Sequence, residues 1–290
     1  MPPAAGADGP RILPLLSVIC ATAAFQVGAA LAKGLFPAVG PTGAAALRLG
    51  LAALLLLALS RPWRAWPAGA PRLPLLGLGL SLGGVMLLFY LALTRAPLGV
   101  VISLQFLGPL AIALFDSRRA IDLLWAGLAG LGVWSIVGVT SAAAGQDGLG
   151  LLFGLGAAAC WAGYILFGRL ASRDYGRSAP ALGLTIAALA VLPFGWAEAG
   201  AGLFSAEILP LALLVALTAT AIPLSLELYA LPRLPPRVFA VFTSLEPAFG
   251  VLFGFLMLNE RLSPGQLAGV GAVVLAAAGS AWTSRRLKAA

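Results

Sequence analysis

Histidine does not occur among the 290 residues, cysteine occurs only twice, and charged residues make up 10% against 61% hydrophobic. Each shortage excludes something. Without histidine there is no haem ligation, most zinc sites are ruled out, and the commonest proton shuttle is missing. Cys20 and Cys160 fall inside apolar blocks with no metal-ligand spacing. They read as small buried residues, and no disulfide, metal or other cofactor is expected. A soluble domain carries roughly a quarter of its residues charged, so water is not the main solvent here. Nor is any polar segment long enough to form a soluble domain. Residues 1–290 therefore read as a single transmembrane domain, with any chemistry inside it.

What is present is a series of apolar blocks of about twenty residues, each long enough to cross a hydrocarbon core of roughly 30 Å as a helix. Runs such as Leu51 to Leu59 lack the alternation of a barrel strand, so the expected fold is an all-α membrane protein. The blocks predict ten transmembrane helices at 12–32, 42–60, 73–94, 97–115, 121–140, 148–170, 178–198, 206–230, 235–258 and 264–283. No small-residue cleavage site follows the first block, which is expected to be retained as a helix. With both termini in the cytoplasm, fourteen of the 18 basic residues lie at inner helix ends. Lys33, Arg95 and Arg261 lie outside and Arg48 lies within a span. That bias predicts both termini cytoplasmic. The net charge of +8 is scattered over many turns, which suits anionic lipid headgroups and not nucleic acid.

The two halves resemble each other. At a shift of 138 residues Ala92-Leu93-Thr94-Arg95-Ala96-Pro97 lies over Ala230-Leu231-Pro232-Arg233-Leu234-Pro235. Val100 then meets Val238, Leu107 meets Leu245 and Pro109 meets Pro247 without a gap. Repeat one covers about 12–140 and repeat two about 148–283. An odd number of spans in each half makes them two inverted five-helix repeats, an arrangement that puts a transport site near the midplane and exposes it alternately.

Several residues inside the spans carry chemistry. Pro109 and Pro247 each remove a helical hydrogen bond and free the carbonyl four residues earlier, at Gln105 and Thr243. Beside those carbonyls stand Gln105 itself and Thr243, Ser244 and Glu246. They read either as substrate acceptors with hinges at Gly108, Pro109 and Pro247, or as proline kinks healed by hydroxyls. Glu246, near the midplane, reads as a proton carrier or partner of a substrate ammonium, or as a structural neutral acid. Glu227 is expected to pair with Arg233, and Arg48 to snorkel to the outer interface. Thr22 and Gln26 share one face of span one, as Trp161 and Tyr164 share one of span six. Either face could line a cavity or pack elsewhere. Gly83-Gly84 and Gly154-x-Gly156 lack the lysine of a nucleotide loop and read as helix contacts. Asp116, Asp122, Asp147 and Asp174 are expected in loops, which removes the acids an intramembrane enzyme would need.

The stretches Ala29-Ala30-Leu31-Ala32-Lys33-Gly34-Leu35-Phe36-Pro37, Ser81-Leu82-Gly83-Gly84, Gly108-Pro109-Leu110-Ala111, Phe115-Asp116-Ser117-Arg118-Arg119 and Ser244-Leu245-Glu246-Pro247-Ala248 resemble the drug/metabolite transporter superfamily of EamA type. Within it the chain is similar to the bacterial amino-acid exporters, over nearly all ten spans. The resemblance implies a secondary transporter of the bacterial inner membrane, exporting amino acids by alternating access through a central cavity. Protons are a candidate energy source, and a monomer is compatible with the pattern. The substrate-binding candidates are then Gln26, Gln105, Trp161, Tyr164, Thr243, Ser244 and Glu246. The chain departs from the exporter pattern at Gln105, where an acid is expected, and at Val85, Met86 and Leu87, where polar residues are expected. That leaves room for larger or aromatic amino acids or broad specificity. The alternative is efflux of cationic drugs or another small metabolite, which a buried Glu246 among aromatic rings would also serve.

Overall fold

A computed structural model gives the structure of the protein and describes residues 12–65, 69–115, 120–142, 148–230, 233–234 and 236–283. Regular structure among the described residues is helical: α1 (Ile12–Lys33), α2 (Phe36–Ser60), α3 (Arg72–Leu93), α4 (Leu98–Gln105), α5 (Leu107–Phe115), α6 (Ala120–Ala142), α7 (Gly148–Tyr175), α8 (Ala179–Ala199), α9 (Leu209–Ala216), α10 (Ile222–Ala230), α11 (Pro236–Thr243), α12 (Glu246–Leu258) and α13 (Pro264–Thr283). Eight helical stretches are long and apolar enough to cross a membrane, and the shorter apolar helices Leu98–Ile112 and Ile121–Ile136 accompany them. The chain is a multi-pass membrane protein.

Burial does not separate apolar from polar residues as it does in water. Leu59, Leu123, Trp134 and Trp282 are largely exposed, whereas Thr22, Gln26, Arg48 and Gln105 are buried. Lipid is as apolar as leucine, so large side chains cost nothing on the outside and polar groups gather inside.

Two expected spans are interrupted, and the proline chemistry says where. α4 stops at Gln105 and α11 at Thr243, the residues whose carbonyls Pro109 and Pro247 leave without a helical donor. The chain continues through Phe106 into α5 and through Ser244 and Leu245 into α12. Gly108, in the first turn of α5 just after the first break, lies against α7, where an added Cβ would run into the Ala158 carbonyl oxygen. A third irregularity was not expected: Leu217–Ala221, between α9 and α10, is a π-helical turn.

The packing has a regularity of its own. α2 packs along α8, α6 along α13 and α4 along α12, while α3 runs against α7 and α8. α1 runs against the α9–α10 stretch and against α11 and α12, α4 and α5 meet α7, and α2 meets α9. Exchanging α1 with α7, α2 with α8, α3 with α9–α10, α4–α5 with α11–α12 and α6 with α13 carries this whole set of contacts onto itself.

Some expectations need correction. Cys20 is exposed, its thiol apolar enough for lipid, and Cys160 is only half-buried, its sulfur lying against Gly84 of α3. Asp122 is not in a loop but in the first turn of α6, and is buried. Asp174 lies in the last turn of α7, since α7 runs beyond the expected end of its span. Asp116 and Asp147 lie outside the described residues.

Candidate functional site

The helices enclose a cavity of about 360 Å³, within the roughly 300–1,000 Å³ usual for small-molecule sites. Its polar wall comes from Gln26, Arg48, Gln105, Thr220, Glu227 and Glu246. Phe25, Phe89, Trp161 and Tyr164 supply aromatic faces, and the remainder is mostly aliphatic. Five of the seven expected substrate-binding residues, Gln26, Gln105, Trp161, Tyr164 and Glu246, therefore line the same cavity. Thr243 and Ser244 do not line it. Their hydroxyls donate back to the carbonyls of Ala240 (3.0 Å) and Val241 (2.6 Å), as helical hydroxyls do beside a kink.

The broken helices position the site. Glu246 opens α12 immediately after one break, and Gln105 closes α4 immediately before the other. Phe106, the residue between α4 and α5, meets the Trp161 ring edge-on at 5.5 Å, so that break is in contact with the cavity wall. Gln26 is 4% exposed and its Oε1 has no hydrogen-bond partner, nor does Oγ1 of Thr22 one turn earlier.

Arg48 and Glu227 are corrections to the sequence reading. Arg48 does not snorkel: it is 8% exposed, donating from Nη1 to Tyr90 Oη at 3.3 Å and from Nη2 to the Ala219 carbonyl at 2.8 Å. Pro223 explains the second bond: four residues after Ala219 it has no N–H to give, which leaves that carbonyl without its helical donor. The π-turn presses Ala219 on α1, where a Cβ on Gly28 would lie 2.5 Å from Ala219 Cβ. Glu227 lines the cavity, while its expected partner Arg233 donates to the Tyr229 carbonyl at 2.7 Å and lies over the Tyr229 ring. A guanidinium next to a carbonyl four residues back and a ring satisfies itself locally.

A second charged cluster lies beyond the cavity. Lys33, at the end of α1, pairs with Glu260 Oε1 at 2.7 Å, and the Leu98 amide at the start of α4 donates to Glu260 Oε2 at 2.7 Å. Where α2 begins again after a kink at Gly40, the Thr42 amide is held similarly, donating to Glu198 at 2.9 Å. Both acids sit where helix N-termini offer free amides and a positive dipole end. The cavity reaches Ala29, Phe89 and Ile102 towards this end, each one turn short of its helix terminus. In the other direction it runs to Leu56, Glu227 and Pro180, the second residue of α8.

Comparison with known proteins places the chain. Residues 148–282 match the EamA-like transporter family. Over 277 residues the chain is 46% identical to the threonine/homoserine exporter RhtA of Escherichia coli K12, covering 96% of this chain and 94% of that protein. The chain belongs to the EamA-like transporter family. The same identity and coverage relate it to the threonine/homoserine exporter RhtA of Salmonella typhimurium SL1344. A crystal structure aligns with a TM-score of 0.58 at 20% identity, over 94% of this chain and 98% of its own. That likeness speaks for the fold alone, over nearly the whole chain.

Proposed function

We infer that this EamA-like protein is a secondary transporter that exports amino acids across the bacterial inner membrane. The observation that carries the reading is the 46% identity to an amino-acid exporter over nearly the whole of both chains, joined to a cavity inside the bundle with both polar and apolar lining. Threonine and homoserine, the substrates in the relatives' names, are the first candidates, and the aromatic and aliphatic lining leaves room for larger side chains. The two acids and two amides of the wall suit an ammonium and hydroxyls.

The architecture proposed is ten spans in two inverted repeats, with α4–α5, α9–α10 and α11–α12 each forming one span. The contact pattern that maps onto itself when the halves are exchanged supports it. Basic residues such as Arg61, Arg64, Arg72, Arg169 and Arg173 favour cytoplasmic termini. In that orientation the cavity runs towards the cytoplasm and is closed one turn short of the outside, as an exporter waiting for substrate requires. Gly108, Pro109 and Pro247 then serve as hinges that reverse the access.

Reconstitution tests this directly. Vesicles loaded with unlabelled threonine, homoserine or aromatic amino acids should accumulate the same labelled compound by counterflow. Exchange of a lipophilic cation with no exchange of any amino acid would overturn the reading in favour of drug efflux.

A further inference from the structure

Arg48 is the basic residue of the cavity wall, and among the described residues no opposite charge pairs with it. Both of its hydrogen-bond partners are neutral, a tyrosine hydroxyl and a main-chain carbonyl. A guanidinium has five N–H donors, so two bonds leave three. Burying a cation at membrane depth is costly unless a counter-charge arrives, and Arg48 stands in the wall of a cavity able to admit one.

The group is also held in place. Tyr90 is fully buried, with the Phe36 and Phe89 rings each 5.7 Å from its own. Ala219 is fixed by the π-turn and its close approach to Gly28. A planar cation oriented from two sides is prepared for a planar anion, and bidentate pairing with carboxylate is what arginine does better than lysine. Two acids, Glu227 on α10 and Glu246 on α12, line the same cavity, as does Gln26, whose Oε1 has no hydrogen-bond partner. Cation and acceptors in one chamber match a dipolar ligand.

We propose that Arg48 receives the carboxylate of the transported amino acid, while the acids and Gln26 face its ammonium and side-chain polar groups. The proposal rests on the amino-acid export reading and deepens it. It makes Arg48 the residue that selects amino acids over simple amines, because a ligand without a carboxylate leaves the guanidinium buried and unpaired. A brace between α2, α3 and the π-turn would have no such preference.

The test compares threonine with threoninamide, which keeps the ammonium and side chain but has no carboxylate, at about pH 6 where both ammonium groups carry their proton. In proteoliposomes the wild-type protein should exchange threonine and be competed by threoninamide at least about 100-fold more weakly. Arg48→Gln should lose about 100-fold in apparent affinity for threonine and bring the two compounds close to parity. Arg48→Lys should keep the preference in weakened form. A threonine preference unchanged in Arg48→Gln, or equal competition by threoninamide in the wild-type protein, would overturn the proposal while leaving amino-acid export standing. Absence of counterflow for every amino acid would overturn both. The wild-type comparison needs no variant, so it decides even where Arg48→Gln does not fold.

Discussion

Lys33 and Arg48 are both basic residues inside the bundle, and they are treated in opposite ways. Lys33 meets Glu260 at 2.7 Å, and the second oxygen of that carboxylate takes the Leu98 amide. Arg48 meets a hydroxyl and a carbonyl, and the two acids of its chamber stand on other helices. The first cluster satisfies its own charges and closes one end of the bundle. The second leaves charge and hydrogen-bonding capacity unused, at a cost of several kcal/mol that a ligand's counter-charge would offset. On the proposed function the complete cluster is structural and the incomplete one is the chamber that receives substrate.

The comparison can be broken from either side. The largest effect is expected at Glu246, where Glu246→Gln preserves shape and polarity but removes the charge. Counterflow should fall by about two orders of magnitude, as when one member of a buried charged set is removed, with the yield of folded protein nearly unchanged. Wild-type flux in that variant would show the chamber's acids to be no more than packing. A smaller effect is expected at the breaks beside the chamber. Pro109→Ala and Pro247→Ala each restore a helical bond, and a bias of about 1.4 kcal/mol is tenfold in populations. Both variants should cycle roughly tenfold more slowly and shift the accessibility of a cavity cysteine in opposite directions. Unchanged rate and accessibility in both would assign the bending elsewhere. The smallest effect on flux is expected at the closed end. Glu260→Gln should lower stability in detergent by about 1–2 kcal/mol while changing counterflow less than about threefold. Abolished transport at unaltered stability would make that cluster part of the machinery.

The bundle and its breaks were legible in the sequence because they follow from local chemistry. A proline frees one particular carbonyl, and α4 and α11 end at Gln105 and Thr243 accordingly. Gln26, Gln105, Trp161, Tyr164 and Glu246 were legible as polar or aromatic residues that lipid would not hold cheaply. Arg48 and Glu227 were misread because distance from a helix end says nothing of the neighbouring helix. Tyr90 on α3 and the Ala219 carbonyl intercept Arg48 before it can reach an interface, and no pattern along α2 encodes them. Thr243 and Ser244 show the converse: their types suited a site, but carbonyls three residues back were nearer partners.

The π-turn at Leu217–Ala221 sets the phase of everything that follows it. Such a turn carries one residue more than an α-helical one, and one residue is about 100° of rotation about the axis. Glu227, six residues beyond Ala221, therefore faces the chamber by virtue of an insertion upstream and not of its own surroundings. Deleting a residue from the turn would give a more regular helix, swing Glu227 off the cavity wall, and carry the Ala219 carbonyl, which Pro223 leaves free, away from the place where Arg48 meets it. A single irregular turn thus acts as a rotary offset for an acid and an anchor for a base, and tidying it would disarm both.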